Sequence, residues 1–201
     1  MCCFLKKMVG LLLAGLFLTG CVPAPAAETS VPATTAKPEE KPLRQTEATD
    51  ILESIWSAYA PSERFSIYGG MLEAPVADSP GELDMDHPAS WIIRYRIPVA
   101  HLKKLDKGAA FSHLMNEKLL TATVFHVTSG KELLTLASDW RRELQRGQWI
   151  AQSPQRLLLA VIEQEYLFMA FGSISHIETL KENLRTACPE LQILYYEAMT
   201  A

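Results

Sequence analysis

The chain has 201 residues, of which 48% are hydrophobic and 21% charged, with a formal net charge of −4. That apolar content builds a core and excludes a wholly disordered chain. The negative balance excludes the basic footprint of a nucleic-acid binder, so no nucleic-acid partner is expected.

Lys6 and Lys7 precede an apolar run from Met8 to Leu18 that is eleven residues long. A membrane-spanning helix needs about 20 apolar residues, whereas the core of a secretory signal has the length seen here. The run ends in Leu18-Thr19-Gly20-Cys21, an aliphatic residue and two small ones before a cysteine. This is the pattern of a bacterial lipobox. The Cys21 thiol takes a diacylglyceryl group through a thioether, and the small residues admit the signal peptidase to the bond before it. Residues 1–20 are therefore read as a lipoprotein signal peptide and Cys21 as the lipidated first residue of the mature chain. Two or more acyl chains, at about 0.8 kcal/mol per buried methylene, anchor a protein stably. The expected location is the extracytoplasmic face of the cell membrane, with the membrane as a partner through lipid. Val22 replaces the aspartate that would retain a lipoprotein at the inner membrane of a two-membrane cell.

Residues 21–45 carry prolines, alanines and threonines without an apolar period and read as a tether. Its length is roughly 25 Å as a coil and at most about 75 Å as extended polyproline II. A single domain is expected over residues 46–201. Of the four cysteines, Cys2 and Cys3 leave with the signal and Cys21 is consumed, so Cys188 remains alone. Its apolar helical setting reads as a small buried side chain.

Ile51, Leu52, Ile55, Trp56 and Tyr59 follow helical spacing, and Pro61 stops that helix. Residues 64–68 read as a short strand before Gly69-Gly70, and residues 73–88 as a polar, acidic, proline-bearing loop. Alternation of Trp91, Ile93, Tyr95 and Ile97 predicts a strand. The spacing over Val99–Leu119 predicts two short helices broken near Lys107-Gly108. Residues 120–127 form a strand. Ser129 with Glu132 opens a helix that ends at Gly147, through a capping box. The continuous apolar run 157–162 reads as a strand covered on both faces, with 166–171 its hairpin partner. Ser175 and Glu178 make a second capping box, and 191–196 is the last strand.

The order strand, helix, strand, strand, helix, strand is that of the split, ferredoxin-like βαββαβ unit. An α+β domain is expected, with an antiparallel-rich sheet and its helices on one face. That reading carries a conflict, since it puts the run at Leu157 on a sheet edge while its composition calls for burial.

His87, His101, His113, His126 and His176 show neither i, i+2 nor i, i+4 spacing, and Cys-x-x-Cys is missing, so no metal or cofactor is expected. No Gly-x-Ser-x-Gly, Ser-x-x-Lys or Cys/His constellation offers a nucleophile beside a base. The irregular segments are then the best binding candidates, because loops on a rigid scaffold carry function. These are Tyr68, Gly69 and Gly70, and the acidic loop with Glu82, Asp84, Asp86 and His87.

Ile55-Trp56, Tyr68-Gly69-Gly70, Pro80-Gly81-Glu82, Trp149, Pro154, Ala170-Phe171-Gly172 and Ile193-Leu194-Tyr195, in this order behind a lipobox, resemble a lipoprotein family of Gram-positive anaerobes. It is catalogued as domain of unknown function 4358, and the resemblance covers residues 50–199. Ala151-Gln152-Ser153-Pro154 stands where that family is expected to carry a Cys-Gly-Phe-Pro-like segment. The resemblance implies an extracytoplasmic lipoprotein and assigns no catalytic residue. The expectation is a binding or accessory lipoprotein without enzymatic activity, meeting cell-wall polymer or another envelope protein. The alternative is an envelope hydrolase whose site assembles only in the fold.

Overall fold

A computed structural model describes residues 47–150 and 152–200. The expected signal peptide, Cys21 and the expected tether lie outside them. The elements in chain order are α1 (Ala48–Ser57), β1 (Ile67–Met71), β2 (Ala74–Ala77), β3 (Gly81–Glu82), α2 (Ala89–Tyr95), a 3₁₀ turn (Val99–Lys104), β4 (Leu105–His113), β5 (Leu120–Val127), α3 (Leu133–Arg146), β6 (Arg156–Ile162), β7 (Tyr166–Gly172), α4 (Ile174–Ala187) and β8 (Leu191–Ala198). All eight strands share one sheet in the order β2-β1-β4-β5-β7-β6-β8, with β3 paired to β4. Each pairing is antiparallel. The expected α+β class with an antiparallel-rich sheet is what forms.

The helices do not share one face, and the strand order explains why. β5 connects through α3 to β6 across β7, and β7 connects through α4 to β8 across β6. Both crossovers step the same way along the sheet, yet they leave from antiparallel strands. A right-handed crossover, the near-universal hand, then sets α3 and α4 on opposite faces. In the ferredoxin-like order β8 would return beside β5 and both helices would lie together. Here β4 already holds that side of β5, so β8 pairs with β6 instead. This also removes the conflict at Leu157, because β8 makes β6 an interior strand.

Two apolar layers follow. On one face Ile51, Leu52, Ile55 and Trp56 of α1 and Ile177, Leu180 and Leu184 of α4 pack on Phe111, Val124, Leu158, Ala160 and Phe168. On the other, Trp91 and Tyr95 of α2 and Leu136, Ala137, Trp140 and Leu144 of α3 pack on Phe125, Leu157, Leu159, Leu167 and Met169. Successive residues of a strand face opposite ways, so Leu157 to Ile162 divide alternately between the two layers. That is why the run carries no polar residue.

Several sequence expectations fail for local reasons: β1 runs through Gly69-Gly70, and residues 73–88, expected as a loop, carry β2 and β3. Residues 91–97 are mainly helix: Trp91 and Tyr95 are four apart and both buried, whereas Ile93 is 83% exposed. Either period buries that pair, and Ile93 alone separates the two readings. Residues 105–113 form a strand, not helices. Ala109 and Ala110 are fully buried there, one toward each layer, because a central strand under helices on both sides has room for small side chains. The caps shift as well. Ser173, not Ser175, caps α4 and accepts from the His176 amide, while Ser129 makes no side-chain cap and Glu132 bonds Lys104. At α1, Glu47 and Asp50 make a reciprocal box.

Both outer strands are blunted against further pairing. β2 is four residues long and contains Pro75, which withholds a ladder donor. β8 carries a register shift opposite Leu159/Ala160, and bulges twist an edge away from partners.

Candidate functional site

The segments 68–70 and 81–87 meet at one corner of the sheet. β1 and β3 approach backbone to backbone: a Cβ on Gly69 would lie 2.2 Å from the Gly81 amide nitrogen, and one on Gly81 would lie 2.6 Å from that of Gly70. Gly70 itself has φ of +73°, a left-handed conformation that glycine adopts without steric cost. Only side-chain-free residues allow this contact, and it seats the acidic loop beside β1.

The loop closes on its own groups. Leu83 donates to the Gly108 carbonyl at 2.8 Å and buries its side chain. The Asp84 carboxylate accepts from the amides of Asp86 (2.9 Å) and His87 (3.2 Å) and meets His87 Nδ1 at 2.8 Å. Trp91 Nε1 donates to the Asp84 carbonyl at 2.7 Å, tying the loop to α2. The hydrogen bond from His87 holds the Asp84 carboxyl below its usual range, and Asp84 in turn raises the His87 imidazole. Asp84 and His87 therefore organise the loop.

Beside it lies an open pocket of about 500 Å³ walled by Glu82, Asp84, Asp86, Asp106, Met71 and Met85. Asp106 arrives from β4, where His126 Nδ1 reaches its carboxylate at 2.5 Å. Sequence reasoning missed Asp106 because it sits on a strand read as helix. It also missed both methionines, whose thioethers give the floor an apolar, polarizable character.

Tyr68 contributes its backbone to this corner and its ring to a neighbouring network. Its hydroxyl bonds Glu117 and Arg94. Arg94, only 10% exposed, bonds Glu117 at 3.1 Å and Ser112 Oγ at 3.1 Å, and its guanidinium lies over the Tyr68 ring. Ser112 continues to Thr121 at 2.9 Å. Burial, then the carboxylate of Glu117, raises the Tyr68 phenol above its ordinary range. The hydroxyl is thus a neutral part of a hydrogen-bonded brace under α2. Arg94 stands 18 residues from Ser112 and 23 from Glu117, and no motif connects it to them.

Elsewhere, His101 is buried and bonds Asp139 at 2.8 Å. Arg141 of α3 pairs with Glu197 through two bonds of 2.6 and 2.7 Å and lies over Tyr195. Burial pushes the Cys188 thiol up to about 11, away from the thiolate a nucleophile needs. No group of three or more metal-ligating side chains occurs among the described residues.

No family model, no curated protein and no solved structure matches the chain.

Proposed function

We propose that the chain is a lipid-anchored, extracytoplasmic binding lipoprotein that holds its domain on a tether and performs no chemistry. The anchor rests on one observation, the run of Lys6-Lys7, apolar core and Leu18-Thr19-Gly20-Cys21 in register. The binding face is the glycine-packed corner: Tyr68, Gly69 and Gly70 shape it, Asp84 and His87 hold its loop, and Glu82 and Asp86 present charge with Asp106. Four carboxylates around one pocket make a cationic group, on wall polymer or on another envelope protein, its electrostatic complement.

The competing reading, an envelope hydrolase, draws on the same carboxylates. It requires one of them to stay protonated near neutral pH as a general acid, and the His87 bond drives Asp84 the other way. The raised Cys188 thiol counts equally against a cysteine nucleophile. The likeness to the lipoprotein family noted above implies an extracytoplasmic lipoprotein and assigns no activity, so it bears on the anchor alone.

Mass spectrometry of protein extracted from membranes tests the anchor. The N-terminal peptide is expected to begin at Cys21 and carry a diacylglyceryl group. Surface protein with residues 1–20 intact, or unmodified protein released to the medium, would overturn it.

A further inference from the structure

We propose that His113 and His176 form an acid-sensitive clasp that fastens the Phe65 segment to the start of α4. The two rings stand 5.6 Å apart at 88°. Phe65 fills the angle between them, stacked on His113 at 4.9 Å and edge-on to His176 at 4.9 Å. Its other side meets Trp56 and Tyr59 at the end of α1, at 5.3 and 6.1 Å. Three pieces of backbone therefore meet at this point: the end of β4, the α1–β1 connection and the first turn of α4.

The hydrogen bonds fit neutral imidazoles. His113 Nδ1 accepts from the Met115 amide at 3.1 Å, so its ring carries no proton on that nitrogen. A protonated imidazole donates from both nitrogens, which would turn this bond into two opposed donors. His176 lies three residues past the N-cap Ser173, whose hydroxyl meets Nδ1 at 2.7 Å. A helix N-terminus disfavours a cation, and a second charge 5.6 Å away adds repulsion.

Among the described residues no carboxylate forms an ion pair with either ring. Glu63 shares a small recess with His176 and accepts from the Ala60 amide. Arg64 lies over Trp56, and Glu117 is engaged by Arg94 and Tyr68. Lys118 reaches the Ile150 carbonyl, Glu178 on α4 is exposed, and Lys181 lies over Tyr196. Burial lowers both imidazoles from 6.5, and His113 adds to the effect at His176.

The sign follows from linkage. Below 6.5 the unfolded chain takes up protons more readily than the folded one, so stability is full above 6.5 and falls as pH drops from there through the folded values. His87, raised by exposed Asp84, runs the opposite way, and its solvent exposure keeps that contribution small.

The test is an imidazole NMR titration of the domain together with amide exchange at pH about 7.5 and about 5.5, corrected for the intrinsic rate. Both rings are expected to titrate below 6.5. Exchange at 62–66 and 173–177 should accelerate about tenfold more on acidification than exchange in β6 and β7. H113F and H176Q should each reduce that difference. If H113F does not fold, H176Q and the wild-type titration carry the test. Rings titrating at or above 6.5, or equal acceleration in β6 and β7, would overturn the clasp.

Discussion

Trp140→Ala is expected to cost the domain about 4 kcal/mol, a large fraction of the roughly 5–15 kcal/mol that holds such a fold together. Trp140 is fully buried on α3, packs edge-on to Phe125 at 5.7 Å, and donates Nε1 to the Tyr95 carbonyl at 2.8 Å. Truncation opens a cavity between α3 and the sheet. It also leaves the last carbonyl of α2 without its partner in a place water does not reach, which adds its own penalty. Trp140→Phe keeps most of the volume and loses the bond with a small part of the ring, so a smaller cost of about 1–2 kcal/mol is expected beside it. Urea denaturation of the domain reads both. A loss below about 1 kcal/mol for the alanine variant would mean that α3 does not seal this layer.

Gly69→Ala acts at the corner and by repulsion. The added Cβ would lie 2.2 Å from the Gly81 nitrogen, 2.4 Å from the Pro80 carbonyl carbon and 2.4 Å from the Ser79 carbonyl oxygen. All three are backbone atoms, so no side chain can swing aside and β1 must part from β3. Overpacking of this kind costs about 3 kcal/mol. The same variant should displace the 83–87 loop and impair binding. A thermal midpoint equal to wild type would contradict the glycine contact on which the corner depends.

The legible part of this fold was the part set by local pattern. α1, α3 and α4 each bury one helical stripe, and the strands from Leu120, Leu157, Tyr166 and Leu191 alternate or run apolar as expected. What escaped was global. Whether β8 returns to β5 or to β6 depends on β4, whose alanine pair imitates a helix because two covering layers demand small residues. The helix at 91–95 escaped because Trp91 and Tyr95 satisfy both periods. At the site, Gly69-Gly70 was visible as a break after a short strand and Gly81 only as part of a loop, and their mutual contact was not visible, since it is a pairing between strands. Arg94 and Glu117 stand 23 residues apart, and only the packing of α2 over β4 and β5 brings them together.

The measurement that bears most directly on an anchored domain binding through its glycine-packed corner is site-specific photo-crosslinking in intact cells. Positions 82 and 86 report on the corner, and position 185, on the exposed side of α4, serves as the reference. Discrete adducts from 82 and 86, without a counterpart from 185, are the predicted result. Adducts spread equally over all three positions, or none from the corner, would contradict the account.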